Sequence, residues 1–184
     1  MRSRIHAFLS RIIGITMLAS MTASPAKAEV SPHFQPFAFL ANSCWSGTRP
    51  DGTIDTHCWE WVYDGAHLRD RHSVAGAKAP YHGETIYSWD PAKQRVIYRY
   101  FNSIGGYSDG DFQVIDGALV SSTDTYVDSG GKQEFRTTIS RLDDNRYEAR
   151  TETRKENQWK PAWRVEFKRV AAETKPEGEN SNSK

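Results

Sequence analysis

Four histidines in one part of the chain are the first candidates for chemistry: His57, His67, His72 and His82. Imidazole is the commonest protein ligand for zinc and copper, so these residues raise the question of a metal site. The hairpin register derived below places His57 opposite His72, with Asp70 one alternation away on the same face. That arrangement allows a site of two histidines and one carboxylate. Polar lining of a core or pocket explains the same residues more simply, and we expect neither a metal nor a cofactor.

The same side chains allow acid–base catalysis, because a carboxylate that holds one imidazole nitrogen can orient the other toward a substrate. His72 would then be the general base, and Asp70 would position it. Asp109 and Asp111 alternate along the chain as the paired carboxylates of a glycosidase could, but charges solvated at a strand end are the simpler explanation. The sequence contains no Ser-His-Asp motif, phosphate-binding loop or H-E-x-x-H helix.

The first predicted hairpin places the two cysteines. Pro50, Asp51 and Gly52 fit a three-residue loop, a type I turn followed by a left-handed glycine. Residues that face each other across this hairpin then have numbers summing to 102, and Cys44 and Cys58 form such a pair. Facing residues lie about 4.5 to 5.5 Å apart between Cα atoms, which a disulfide accepts. We therefore predict a structural disulfide between Cys44 and Cys58 rather than two free thiols.

A second hairpin turns at Asp64-Gly65, where a two-residue turn makes the numbers of facing residues sum to 129. One face of this hairpin carries the facing pairs His57 and His72, Trp59 and Asp70, and Trp61 and Leu68. The other face carries Glu60 opposite Arg69, which is typical of a solvated surface. We predict that the Trp-rich face points inward. The reverse orientation, with Glu60 and Arg69 lining a polar cavity, stays open at this point.

A third hairpin concentrates aromatic residues. A four-residue loop over 91–94 makes facing numbers sum to 185 and puts on one face Trp89, Tyr87, Tyr98, Tyr100 and Asn102. A five-residue loop would shift the register and split this set. Tyrosine and tryptophan combine apolar area with a hydrogen-bonding tip, which suits a pocket, although ordinary barrel core explains them equally well. The predicted ligand-binding residues are His57, Trp59, Trp61, Asp70, His72, Tyr87, Tyr98, Tyr100 and Asn102.

These hairpins belong to a chain that alternates strand-forming runs with turn residues at short intervals. Runs rich in Thr, Val, Tyr, Trp and Ile cover 53–63, 95–101 and 118–127, and Gly, Pro, Asp and Asn mark the turns between them. Short connections make sequential strands antiparallel neighbours. We predict an all-β fold, a closed antiparallel up-and-down barrel of about ten strands over residues 29–171, with a short N-terminal helical segment. A β-sandwich is the main alternative.

Three motifs occur in an order typical of a known group of barrels: F-L-A-N-S-C-W-S-G at 39–47, E-W-V-Y-D-G-A-H-L-R at 60–69 and Y-S-W-D-P at 87–91. From Phe39 to Arg169 the chain resembles the bacterial calycin-like, or lipocalin-like, barrels of exported proteins of unknown function. The resemblance implies a closed antiparallel barrel whose internal cavity takes a small hydrophobic molecule, and it brings no catalytic residues with it. Related haem-carrying barrels use a histidine near the C-terminal end as iron ligand. This chain has no histidine after His82, so we expect no haem.

Residues 1–28 have the three parts of a secretion signal: the basic residues Arg2, Arg4 and Arg11, an apolar run over 12–21, and small residues ending at Ala28. The apolar run has about ten residues, short of the roughly 20 that span a bilayer. We predict cleavage after Ala28 and a periplasmic or secreted protein. The remaining chain has 20 basic and 23 acidic residues, a net charge of −3, which disfavours nucleic acid as a partner.

Two functions remain after these exclusions. The first is a binding barrel, a monomer or weak dimer without a membrane span, that takes a small hydrophobic or amphipathic ligand in its cavity. The second is a cavity enzyme of the isomerase or cyclase type, with His72 oriented by Asp70. Beyond the barrel, residues 172–184 are rich in polar and turn-forming residues and are predicted to be a disordered tail.

Overall fold

The computed structural model describes residues 30–121, 124–128 and 131–171. These residues form one 3₁₀ helix, Pro32–Phe37, and eleven strands in a single antiparallel sheet. The strands are β1 Ser43–Thr48, β2 Ile54–Val62, β3 His67–Ala75, β4 Tyr81–Asp90, β5 Arg95–Asn102, β6 Tyr107–Ile115, β7 Ala118–Ser121, β8 Asp124–Asp128, β9 Gly131–Arg141, β10 Arg146–Lys155 and β11 Gln158–Val170. The predicted signal segment (1–28) and tail (172–184) lie outside the described residues.

The sheet closes on itself. Strands β1 to β6 pair in chain order, β9 pairs with β10, β10 with β11, and β11 with β1. Strands β7 and β8 each pair with both β6 and β9, so they occupy one strand position in succession. The result is a ten-strand closed antiparallel barrel, as predicted, and not a β-sandwich. Closure supplies every strand of the described chain with two neighbours, which removes the open edges that invite aggregation.

The three predicted hairpin registers are all confirmed. Cys44 faces Cys58 in β1 and β2, His57 faces His72 in β2 and β3, and Tyr87 faces Tyr98 in β4 and β5. The Cys44–Cys58 disulfide is present, with its Cα atoms 4.1 Å apart. At the second turn Asp64 and Gly65 both adopt positive φ, 57° and 82°, the backbone conformation that a two-residue hairpin turn needs.

The Trp-rich face points inward, as predicted. Trp45 and Trp59 are buried in the barrel core together with Leu68. The alternative with a polar interior is excluded, because Glu60 lies on the outside, 2.8 Å from Arg69 and 3.1 Å from Arg71 between charged atoms. Since side chains alternate along a strand, fixing one residue of a hairpin fixes the direction of all its neighbours.

The 3₁₀ helix closes one end of the barrel. It overlaps the predicted helical segment, residues 33–42, but begins at Pro32 and ends at Phe37, and its Phe34 and Phe37 are buried. The ring of Phe37 packs 5.8 Å from the rings of both Tyr87 and Phe112, while His33 stacks on Trp89 at 3.8 Å. Proline inside the segment, at 32 and 36, removes backbone donors and keeps the helix short. No helix among the described residues is long and apolar enough to cross a membrane.

Reduction of the Cys44–Cys58 bond is expected to lower the free energy of unfolding by about 2 to 4 kcal/mol, because the cross-link restricts the unfolded chain. Urea unfolding with and without reductant measures the effect. The double variant Cys44→Ala, Cys58→Ala serves as the control, since reductant has no bond to cleave in it. An unfolding midpoint that does not respond to reductant in the wild-type protein would contradict the prediction.

Candidate functional site

The barrel encloses a cavity of about 580 Å³, which falls within the roughly 300 to 1,000 Å³ typical of small-molecule sites. Its wall contains seven of the nine residues predicted from the sequence: His57, Trp59, Asp70, His72, Tyr87, Tyr98 and Tyr100. The 3₁₀ helix lies at one end of the barrel. The cavity extends toward the other end, to the segments around Arg49 and Tyr81.

Two predicted residues lie on the inner face but not in the cavity wall. Trp61 is beside the 3₁₀ helix, its ring 5.8 Å from that of Phe34, and packs against the core at the closed end. Asn102 lies at the opposite end of β5, where its Oδ1 accepts hydrogen bonds from the backbone N–H groups of Ile104 (3.1 Å) and Gly106 (2.9 Å). Trp61 therefore packs in the core at the closed end, and Asn102 hydrogen-bonds to the loop that follows β5.

Much of the apolar wall comes from strands for which the sequence analysis named no ligand-binding residue. Strands β9, β10 and β11 contribute Ile139, Tyr147, Val165 and Phe167, all of them buried. Tyr147 and Phe167 stack with ring centroids 4.8 Å apart, and the ring of Phe167 also packs edge-on against that of His57 at 5.3 Å. The cavity thus has an aromatic and aliphatic side that adjoins a polar one.

Asp55 is the centre of the polar side, although the sequence analysis did not name it. Its carboxylate is buried, with 3% of the residue exposed. One oxygen, Oδ1, lies 3.2 Å from His72 Nδ1 and 3.4 Å from His57 Nε2. The other oxygen, Oδ2, lies 3.1 Å from Arg49 Nε. The sequence could have indicated Asp55, because it precedes His57 by two positions in β2 and alternation puts both side chains on one face of the strand.

Asp70 does not orient His72, so that prediction is wrong. Its Oδ2 lies 2.7 Å from Nδ1 of His57 instead, and the residue that orients His72 is Asp55. In the sheet His57 faces His72. Asp70 lies diagonally across from His57, and Asp55 lies diagonally across from His72. Strand twist brings diagonal residues of neighbouring strands into reach of one another, so these contacts are made between β2 and β3 rather than within β3.

These contacts change the acid–base properties of His57. Burial disfavours the charged imidazolium, but the carboxylates of Asp70 and Asp55 outweigh this and raise the pKa of His57 to about 10. Burial likewise disfavours a charged Asp55, yet the hydrogen bonds and positive charge of His57 and His72 hold the pKa of this carboxyl well below its usual range. His57 is therefore protonated at neutral pH in the metal-free protein, and is unsuited to act there as a general base.

A chain of hydrogen bonds leads away from Asp55. His72 contacts Asp55 through Nδ1, and its Nε2 lies 2.8 Å from the hydroxyl of Tyr100. That hydroxyl is 2.7 Å from the hydroxyl of Tyr81 at the start of β4. Carboxylate, imidazole and phenol in series form an arrangement that can hold or transfer a proton. It lies along the cavity wall, since all four side chains line the cavity.

The same polar side also has the composition of a cation site. One ligand atom from each of Asp55, His57 and His72 lies within 4.8 Å of the other two. The two-histidine, one-carboxylate set that the sequence allowed, although no metal was expected, therefore occurs with a different carboxylate, Asp55 in place of Asp70.

The second carboxylate pair that the sequence suggested does not form a site. Side chains of β6 alternate, and the buried residues Ser108 and Phe112 define its inner face. Asp109 and Asp111 therefore lie on the outer face, where Asp111 pairs with Arg95 at 3.0 Å. They are solvated strand charges, as expected.

No protein-family model matches the chain. No curated protein matches it either.

Proposed function

We propose that the protein is an exported, calycin-like β-barrel that binds a small hydrophobic or amphipathic molecule in its cavity. The observation that carries this proposal is the cavity itself, which has a ligand-sized volume and a largely apolar wall. Apolar surface of this kind gains free energy when it is covered, at about 25 cal/mol per Å².

The distribution of polar groups indicates how a ligand would be oriented. Its apolar body would pack against the side formed by Tyr147 and Phe167, and its polar group would lie next to that side, at Asp55 and His72. Asp55 and Asp70 are offset by Arg49 and by protonated His57. A neutral hydrogen-bonding group fits this balance better than a carboxylate or an ammonium group.

Export is supported by two features of the chain. The pattern of residues 1–28 is that of a secretion signal, and the Cys44–Cys58 bond is of the kind that persists in oxidising compartments. The resemblance to exported calycin-like barrels agrees with both, and residues 1–28 lie outside the described structure.

Binding is tested with the neutral fluorescent probe N-phenyl-1-naphthylamine. Ala149 lines the cavity and Arg150, next in β10, is an exposed residue, so Ala149→Phe fills the cavity and Arg150→Phe is its matched control. We expect Ala149→Phe to weaken probe binding about tenfold or more, which corresponds to roughly 1.4 kcal/mol. Arg150→Phe is expected to bind like the wild-type protein. Equal affinity in both variants, or no binding by the wild type, would contradict the proposal.

Mass spectrometry identifies the natural ligand. Organic extracts of the protein purified from its native host are compared with extracts of Ala149→Phe prepared in parallel. A compound that is enriched with the wild-type protein and absent from the variant is the expected result. Identical extracts would argue against a ligand in the cavity.

A cavity enzyme is the second candidate, because Asp55, His72 and Tyr100 form a hydrogen-bonded series at the cavity wall. In such an enzyme His72 would be the general base and Asp55 would position it, while Tyr100 would donate or accept the proton at its hydroxyl. The compound found in the extracts is incubated with wild-type protein and with His72→Gln. Conversion by the wild type alone, with probe binding retained in the variant, would favour the enzyme. Recovery of the compound unchanged from both would favour the carrier.

A further inference from the structure

We propose that Asp55, His57 and His72 bind one divalent transition-metal ion of the zinc class in the wall of the cavity. The proposal does not depend on the cavity carrying an organic ligand. It rests on the position of three ligand atoms, on the partners of the remaining polar atoms in the same side chains, and on a buried carboxylate oxygen of Asp70 that lacks a hydrogen-bond partner among the described residues.

The spacing of the ligand atoms matches what such an ion requires. Asp55 Oδ1 is 3.4 Å from His57 Nε2 and 3.2 Å from His72 Nδ1. For zinc bonded to nitrogen and oxygen at about 2.0 to 2.2 Å, two ligands on a tetrahedral edge lie about 3.3 to 3.5 Å apart. The two histidine nitrogens lie within 4.8 Å of each other. To bind an ion, side-chain rotation has to shorten only this nitrogen–nitrogen distance.

Each of these three side chains has its other polar atom held by a neighbour. His57 Nδ1 lies 2.7 Å from Asp70 Oδ2, and His72 Nε2 lies 2.8 Å from the hydroxyl of Tyr100. Asp55 Oδ2 is 3.1 Å from Arg49 Nε. Metal-binding histidines characteristically have this second contact, often with a carboxylate, because it fixes which nitrogen is free to bind the ion and orients the ring.

A buried carboxylate oxygen also favours a cation at this place. Asp55 and Asp70 are both buried, with 3% and 4% of the residue exposed. The second oxygen of Asp70, Oδ1, is buried and has no hydrogen-bond partner among the described residues. A buried carboxylate oxygen without a partner is costly, and a cation bound to the neighbouring His57 would lower that cost.

The donor set identifies the class of ion. Two imidazoles and one carboxylate suit zinc and related transition metals, whereas magnesium and calcium prefer oxygen ligands alone. Three protein ligands leave a fourth position open. Because all three residues line the cavity, that position is available to water or to a molecule bound inside the barrel.

The test uses protein purified without a polyhistidine tag, stripped with EDTA and dialysed. Zinc affinity is measured by competition with a chromophoric chelator, and cobalt(II) serves as a spectroscopic probe. We expect one ion per chain. A visible cobalt spectrum of tetrahedral type should appear and be lost when zinc is added.

Variants locate the ion. His57→Gln and His72→Gln are each expected to weaken zinc binding about 100-fold or more, and Asp70→Asn, which removes the negative charge beside His57, about 10- to 100-fold. His82 is exposed and outside the cluster, so His82→Gln should bind zinc like the wild-type protein. Circular dichroism and sensitivity to reductant show whether each variant is folded.

The proposal is overturned if the wild-type protein binds no zinc or gives only an octahedral cobalt spectrum. It is also overturned if both His57→Gln and His72→Gln, in folded form, bind zinc as the wild type does. The cobalt measurement needs no variant, so a variant that fails to fold does not remove the test. Probe binding by the EDTA-treated protein is recorded in parallel, which separates failure of the metal site from failure of the carrier proposal.

Discussion

Replacement of Trp45 by alanine is expected to lower the free energy of unfolding by about 3 to 5 kcal/mol. The indole is fully buried. Its removal therefore leaves a cavity that the closely packed neighbouring rings fill only in part. Tyr147 packs edge-on against the indole at 5.1 Å between ring centroids, and the guanidinium of Arg169 lies 4.3 Å from the ring centre. The variant also leaves the backbone carbonyl of Leu40 without the hydrogen bond it accepts from Trp45 Nε1 at 3.1 Å.

Urea unfolding of the oxidised protein measures this effect, and Trp163→Ala is the matched control. Trp163 is 37% exposed, so its removal should cost clearly less than removal of the fully buried Trp45. A cost below about 1 kcal/mol for Trp45→Ala would contradict the placement of its ring in the core.

The register of the sheet could be predicted because turns determine it locally. The loop at 50–52, the turn at Asp64-Gly65 and the loop at 91–94 each fix which residues face one another. All three registers occur in the structure, and with them the disulfide and the inward direction of the Trp-rich face. A chain of such hairpins also predicts the closed barrel, since antiparallel neighbours leave only two edges to join.

The positions along the barrel axis at which the cavity begins and ends could not be predicted in the same way. Register shows that Trp61 and Asn102 are on the inner face, but not where the cavity begins and ends. The 3₁₀ helix determines where the cavity stops at one end, because it packs against Trp61 through Phe34. At the other end Asn102 hydrogen-bonds to its own loop. Both limits depend on segments outside the strands, whose contacts with the barrel are not fixed by hairpin register.

Which carboxylate contacts which histidine could not be predicted from the sequence, for a different reason. Alternation puts Asp55 and His57 on one face of β2, and Asp70 and His72 on the same face of β3. Which carboxylate contacts which imidazole depends on the twist between the strands and on side-chain rotamers. The structure selects the two diagonal contacts, and this choice gives His57 two carboxylate neighbours and joins His72 to Tyr100.

Loss of the proton on His57 is expected to destabilise the metal-free protein by about 4 kcal/mol as the pH rises from 6.5 to 10. Folding raises the pKa of His57 from its ordinary value of about 6.5 to about 10, because Asp70 and Asp55 outweigh the effect of burial. A histidine whose pKa is raised by folding stabilises the folded state fully below its unfolded pKa. The contribution is then lost as the pH rises through the folded pKa. Asp55 acts in the opposite sense, since its lowered pKa contributes stability that disappears only as the pH falls into the acid range.

Urea unfolding at intervals between pH 6 and 10.5, in the presence of EDTA, measures the effect of His57. Lysines and tyrosines also titrate near pH 10, so the result is the difference between the wild-type profile and that of His57→Gln, which lacks the titrating ring. The His82→Gln variant should retain the wild-type profile, because His82 is exposed and lies outside the cluster. If His57→Gln loses stability with rising pH as steeply as the wild type does, His57 does not carry the proton that links the two carboxylates.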